Sequence, residues 1–252
     1  MKIKVLLLHF SLCFFNLLNG ENPSYIPPIA HFCYGLWDDG DLPDSFQANV
    51  NEWKKQGWTV HVWNGEEVDQ LLEKYPAFKE VAATFDRKVQ KADLARYLIV
   101  YEYGGFYFDL DCEPKKGCLF DDWQKNHHNA RAIFFIEHMA SKKSLEKVIL
   151  YPIRQGQPEL PRRLANFSFG AEAKHPLIWN ILELLQIRCA SFPEYNGDYD
   201  IIYKTGPDCL TEAIHQSENL ISEPEVWIVS HKDYMKHTRA ASWRNNKDLL
   251  ER

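Results

Sequence analysis

The chain carries no excess of positive charge. Lys and Arg number 29 against 35 Asp and Glu, a formal net charge of −6. A basic field for nucleic acid is therefore missing, and a small-molecule or sugar substrate suits the balance better. Cysteine is sparse and unpatterned. Cys13 lies near the N-terminus, and Cys33, Cys112, Cys118, Cys189 and Cys209 are an odd remainder with no C-x-x-C spacing, which argues against a structural zinc site. Cys112 and Cys118 have the spacing to close a small loop, and buried free thiols are the equal alternative. Nothing repeats, no segment is low in complexity, and no linker is long enough to divide the chain.

Long hydrophobic runs are absent as well. Val5–Leu18, preceded by Lys2 and Lys4, is interrupted only by His9, Ser11 and Asn16. It falls short of the about 20 residues a membrane span needs and has the length of a signal-peptide core. Residues 1–20 therefore read as a cleaved signal or an uncleaved signal anchor, with a buried N-terminal helix as the third reading. Either export reading sends the chain into a secretory, Golgi-type or periplasmic route, and the anchor would tie it to a membrane through residues 5–18. One domain is expected over residues 26–245.

What is present is ample apolar material, 45% hydrophobic and 14% aromatic, enough for a packed core. From Ile26 strand-like and helix-like segments alternate, the pattern of an α/β layer. Strands are expected at Ile29–Tyr34, Trp58–Trp63, Phe106–Asp109, Ala132–Glu137, Asn166–Phe169 and Val226–Val229. Helices are expected near Asp44–Gln56, from Asn64 to about Lys74 with Pro76 ending it, at Lys88–Tyr103, Ser144–Tyr151, Pro176–Ala190 and Asp208–Gln216. In Lys88–Tyr103 the residues Leu94, Tyr97, Leu98 and Tyr101 form an apolar stripe, and Gly104-Gly105 stops the helix. Arg154–Arg163, with its prolines, reads as a loop, and the tail from His231 reads as polar and unpacked.

Chemistry concentrates in Tyr103–Pro114, where an aromatic run delivers Asp109 and Asp111 one residue apart. In a strand, alternate side chains share a face and lie roughly 6.5–7 Å apart, so Leu110 would turn into the core while both carboxylates converge. Two hard oxygen ligands suit Mg²⁺ or Mn²⁺, ions that keep substrate phosphates as further ligands. Asp93 and Arg96, three apart on the preceding helix, share a face that is distinct from the apolar stripe; an intrahelical ion pair is the plain alternative.

Read together, Ala92-Asp93-Leu94-Ala95-Arg96-Tyr97 through Pro114 resembles the segment A-D-x-x-R-Y…Y-G-G-x-Y-x-D-x-D of the family-32 glycosyltransferases. That group includes fungal initiating mannosyltransferases, sphingolipid glycosyltransferases and bacterial capsule enzymes. Weaker echoes follow in the family's order: Ile26-Pro27-Pro28-Ile29-Ala30-His31, Asn166 with His175-Pro176, Thr205-Gly206-Pro207, and His237 with Ser242-Trp243.

The resemblance implies a GT-A fold, a Rossmann-like nucleotide-sugar-binding sheet flanked by helices. It implies a retaining hexosyltransferase that takes GDP-mannose or a UDP-hexose as donor and a glycan or glycolipid as acceptor. It also implies Mn²⁺ or Mg²⁺ on Asp111, with Asp109 on the metal, its water or the ribose, and His237 as a further ligand. Asp93 and Arg96 would grip the donor sugar, His31 and Tyr34 would stand at the nucleotide, and Ser242 and Trp243 would close over the diphosphate. Tyr34 occupies a position where the family commonly has Trp, which leaves the base open. Asn166-Phe167-Ser168 also fits a glycosylation pattern, but its place in the N…H-P segment favours a buried or acceptor-side Asn.

Two other classes fit less well. An aspartate-nucleophile phosphatase also begins with a strand and D-x-D, but Cys112-Glu113 follows here and the aromatic Y-G-G lead-in has no purpose there. A non-catalytic sugar-binding module would tolerate loss of the acids, yet both acids and the Arg are present.

Overall fold

The computed structural model describes residues 26–36, 40–115, 119–139, 162–193, 197–217 and 225–238. The leader, Trp37, Cys118, the helix expected at Ser144–Tyr151, most of the Arg154–Arg163 loop, Ser242 and Trp243 lie outside the described residues. Strands β1 (Ile29–Cys33), β2 (Thr59–Trp63), β3 (Gly105–Phe108), β5 (Ala132–Met139), β6 (Arg162–Ala171) and β7 (Val226–Ser230) form one mixed sheet in the order β2-β1-β3-β6-β5-β7. β1 runs parallel to both β2 and β3, β6 is antiparallel to β3 and β5, and β7 is parallel to β5. The α/β class and the helix-flanked sheet agree with the sequence reading.

Helices cover both faces. α1 (Asp44–Lys55) and α5 (Leu119–Asn126) pack on one side with Phe32, Phe106, Phe108, Ile133 and Phe135. Aromatic rings dominate that core: Trp53 stacks on Phe108 at 3.9 Å and Trp58 on Trp123 at 5.7 Å. Such pairs contribute about 0.5–1.5 kcal/mol each beyond the area they bury. The other face holds α2 (Gly65–Glu73), α3 (Pro76–Ala82), α4 (Lys88–Tyr103), α6 (Pro176–Ser191) and α8 (Pro207–Gln216), and α7 (Asp198–Lys204) packs on α6 and α8. Strand alternation therefore sends Phe106 and Phe108 to the first core and Tyr107 to the second.

Helix α4 departs from the amphipathic reading. It is enclosed from Asp93 to Val100 without a solvent face, so its polar residues are buried along with its stripe. It ends abruptly at Gly104 (φ +65°) and Gly105 (φ +95°). A Cβ at Gly104 would lie 2.8 Å from the Ala173 nitrogen and one at Gly105 2.8 Å from the Ile29 oxygen, so only glycine lets β1 and the chain after β6 approach this closely.

Four readings need correction. Pro76 ends one helix but also starts α3, because a proline at the first helical position forgoes only a donor that would be unsatisfied anyway. Helix α7 lies where no element was expected, and β6 begins at Arg162, inside the expected loop. Residues 231–237 are not an unpacked tail. They form α9 (His231–Tyr234) and β8 (Met235–His237), and β8 pairs antiparallel with β4 (Cys112–Pro114) just past the aspartates.

Candidate active site

β1 leads to β2 on one side and is joined by β3 on the other, so the switch point of the sheet lies between β1 and β3. In open α/β sheets ligands bind outside the carboxyl ends of the strands at that point. Tyr34 follows β1 there, Asn64 follows β2, and Asp109 follows β3.

The two aspartates do not share a strand face. β3 stops at Phe108, and Asp109-Leu110-Asp111-Cys112 is a tight turn closed by the Cys112 N–H donating to the Asp109 carbonyl at 2.9 Å. Leu110 does enter the core. Helix α1 holds the turn from below: Asn49 Nδ2 donates to the carbonyls of Leu110 and Cys112, both at 2.7 Å, and Trp53 Nε1 donates to that of Cys112 at 3.0 Å. From the far end of the chain, the Thr238 N–H donates to the Asp111 carbonyl at 3.1 Å. The Asp109 N–H in turn donates to the Phe167 carbonyl at 2.8 Å, so three separate segments satisfy the backbone of this acidic turn.

Asp109 is fixed from the α4 side. Tyr107, two residues earlier on the same face, donates its hydroxyl to Asp109 Oδ1 at 2.9 Å, and Arg96 Nη1 lies 3.4 Å from the same oxygen. The guanidinium also sits 4.9 Å above the Tyr107 ring. Burial pushes the Asp109 carboxyl above its usual range; Arg96 opposes this, Asp111 adds to it, and the Tyr107 hydroxyl opposes it. Burial also pushes the thiol of neighbouring Cys33 up to about 12, so it stays protonated.

Arg96 is itself held by Asp93 at 3.2 Å and by the Asn166 carbonyl at 2.8 Å. Asp93 accepts further bonds from Asn166 Nδ2 at 3.0 Å and from Thr205 Oγ1 at 2.7 Å. The residues expected to grip a sugar directly are therefore arranged differently. Asp93 is 3% exposed with both carboxylate oxygens bonded, a support for Arg96 rather than an open ligand. Asn166 is buried in this lattice, which explains it without a glycan. The buried Arg–Asp pair survives desolvation because its remaining acceptors and donors are filled.

His31 is likewise spent inside the protein. Its Nε2 donates to the Gly104 carbonyl at 2.8 Å, and its Nδ1 accepts from Trp63 Nε1 at 3.1 Å. It latches the α4–β3 break and offers no nitrogen to a nucleotide. Tyr34 does stand at the sheet edge, half-buried against Phe46, on a groove of about 900 Å³ that Val62, Asn64 and Gly65 also line.

His237 arrives by the β4–β8 pairing, opposite Cys112 in register. Its Nε2 lies 3.2 Å from Asp111 Oδ1, its ring stacks on Phe167 at 3.9 Å, and its Nδ1 is buried without a hydrogen-bond partner. The donor set fits a hard divalent ion. With metal–ligand bonds near 2.1 Å, neighbouring ligands of an octahedron stand about 3 Å apart, close to the Asp111–His237 separation.

Asn49, Trp53, Tyr107 and Thr238 escaped the sequence reading. Tyr107 carried a signal, its period-2 relation to Asp109. Asn49 carried a weaker one, a polar residue four before Trp53 on the buried face of α1.

The mixed α/β sheet thus carries a D-x-D turn at its switch point. Residues 43–130 match the family described as "Glycosyltransferase sugar-binding region containing DXD motif". The matched stretch holds Asn49, Asp93, Arg96, Tyr107, Asp109 and Asp111; Asn166, Thr205 and His237 lie beyond it.

Among curated proteins, the chain is similar to "Inositol phosphoceramide mannosyltransferase 1" of Schizosaccharomyces pombe, 34% identical over 100 residues, covering 37% of this chain and 31% of that one. It is 22% identical to "Inositol phosphoceramide mannosyltransferase 3" of the same yeast over 247 residues, 88% of this chain and 56% of that one. A third relative is "Mannosyl phosphorylinositol ceramide synthase CSH1" of Saccharomyces cerevisiae, 30% identical over 98 residues, 37% of this chain and 25% of that one. The chain thus spans less than two thirds of the length of each of these relatives. Among solved structures it is similar to "PaToxG Glycosyltransferase", with a TM-score of 0.49 and 14% identity over 85% of this chain and 78% of that one. No helix among the described residues is long and apolar enough to cross a membrane.

Proposed function

We propose that the protein is a metal-dependent retaining glycosyltransferase that moves a hexose from a nucleotide sugar to a glycan or lipid acceptor. The observation that carries this reading is the convergence at the switch point of Arg96 on α4, Asp109 and Asp111 in the turn after β3, and His237 from the distant β8. The names of the relatives support mannose as the hexose and a phosphorylated lipid as the acceptor.

Asp111 and His237 would hold Mn²⁺ or Mg²⁺, with Asp109 on a metal-bound water or the donor ribose. When bound, the ion supplies Lewis-acid neutralisation of the charge that develops on a departing nucleoside diphosphate. Arg96 opposes the burial that raises the Asp109 carboxyl and fixes it in place, and Asp93, Asn166 and Thr205 keep Arg96 from turning away. Tyr34 and its groove give the base an aromatic wall. By the family resemblance, Ser242 and Trp243 would take the closing role over the diphosphate. No residue is nominated as a nucleophile, and front-face attack assisted by the leaving diphosphate is the reading taken. An export route through residues 1–20 completes the reading.

The test is a panel of nucleotide sugars, GDP-mannose and UDP-hexoses among them, assayed for hydrolysis or transfer with and without Mn²⁺ or Mg²⁺. Activity should appear only with metal, and Asp111→Asn should abolish it while the thermal midpoint changes little. Equal activity in that variant refutes the metal assignment. A covalent glycosyl-enzyme trapped and seen by intact-mass measurement would overturn front-face attack.

A further inference from the structure

The turn offers a second ligand set that the hard-ion reading leaves unused. Asp111, Cys112 and His237 each present a ligand atom, and these atoms lie within 4.8 Å of one another. Cys112 and His237 are direct cross-strand partners in the β4–β8 ribbon, so their side chains are neighbours. The sulfur is a free thiol in a residue with no exposed surface, and it makes a weak contact with the Phe167 carbonyl at 3.8 Å. The imidazole has a buried nitrogen without a hydrogen-bond partner among the described residues. The Cys112 backbone is immobilised by Asn49, Trp53 and the Asp109 carbonyl, so the thiol is presented in a set place.

We propose that Asp111, Cys112 and His237 form a thiophilic metal site that takes Zn²⁺ and, by using Asp111 and His237, excludes the hard ion. One thiolate, one imidazole and one carboxylate are a zinc donor set, with water in the fourth position. Divalent affinity for such N/S/O sites rises steeply from Mn²⁺ to Zn²⁺, whereas Mg²⁺ and Mn²⁺ gain little from sulfur. In a zinc tetrahedron the edges between these ligands measure about 3.3–3.6 Å, so a closure of about 1 Å completes the site. Binding forms the Zn–S bond, releases the thiol proton to solvent and gives up the S–H contact with Phe167. The ion would then act as a brake on the proposed transfer. That exclusion rests on Asp111 and His237 being the hard-ion ligands; the zinc site itself does not.

The experiment titrates the reduced full chain with Co²⁺, a spectroscopic stand-in for Zn²⁺, and reads the thiolate-to-cobalt charge-transfer band. The band should appear in the parent protein, vanish in Cys112→Ser and persist in Cys33→Ser. Zn²⁺ should bleach it stoichiometrically. His237→Gln, at a partly exposed position, should keep the fold and weaken Co²⁺ binding by more than the about 10–100-fold lost with an outer-shell partner. No band in the parent, a band that survives in Cys112→Ser, or unchanged affinity in His237→Gln overturns the proposal. Excess Mn²⁺ should also displace the band. A band that Mn²⁺ cannot displace overturns the exclusion. Failure of every nucleotide sugar to turn over, with the Cys112-dependent band intact, would instead defeat the transferase reading and leave the zinc site standing.

Discussion

Replacing Thr205 by Val tests whether Asp93 is a buried support or a ligand for the donor. Thr205 has no exposed surface, and its hydroxyl donates to Asp93 Oδ2 at 2.7 Å; a second contact, to the Ile201 carbonyl, is longer at 3.2 Å. A hydroxyl has a single hydrogen, so the shorter, charge-assisted bond takes most of it. Losing a hydrogen bond to a charged group costs about 1.5–3 kcal/mol. The methyl that replaces the hydroxyl returns about 0.8 kcal/mol in burial. The net expectation is a loss of about 1–2 kcal/mol, or roughly 2–8 °C in thermal midpoint for a protein of this size. Urea unfolding should show a lower midpoint with an unchanged slope. In an Asp93→Asn background the same substitution should cost clearly less, because the two groups are coupled. A stability change below about 0.5 kcal/mol together with a raised KM for the donor would refute the reasoning and return Asp93 to the role of sugar ligand.

Two more outcomes follow from the structure around the α4–β3 break. Glu102 accepts hydrogen bonds from Lys174, Tyr75 and Lys74, and against the opposing pull of burial these hold its carboxyl down at about 2, below its ordinary 4.5. A depressed carboxylate stabilises the fold fully above its unfolded value and loses that contribution as pH falls from about 4.5 to about 2. Thermal midpoints measured between pH 5 and 2 should therefore fall less steeply for Glu102→Gln than for the parent, and parallel curves would contradict the assignment. Gly104→Ala should destabilise by at least about 1–3 kcal/mol, since φ +65° with ψ −171° is nearly closed to alanine and its Cβ meets backbone at 2.8 Å. Denaturant unfolding that shows no loss would mean that the α4–β3 break is not under this constraint.

Much of the architecture was legible because it is local. The period-3.6 stripe of α4, the Gly-Gly break and the aromatic β3 follow one another in a single segment, and the helix was readable to its end residues. The same locality explains the failures. Asp93 and Arg96 looked like groups offered to a sugar because their polarity implied a free face. The structure buries them because Asn166 and Thr205 fold over from 73 and 112 residues away. His31 looked like a ligand for the same reason, and Trp63 and Gly104 consume it. The expected strand spacing of Asp109 and Asp111 failed because Asn49 and Trp53, on α1, draw the Leu110 and Cys112 carbonyls into a turn.

By itself the sequence determined the α/β class, the acidic chemistry of Asp109 and Asp111 and its kinship with a DXD sugar-binding region, because periodicity, glycine breaks and short motifs are properties of neighbouring residues. Only the tertiary structure decided which polar groups face a ligand and which hold the site together. Hydrogen-bond saturation depends on partners that approach through space. Sequence spacing does not record whether a buried carboxylate such as Asp93 has already met its donors.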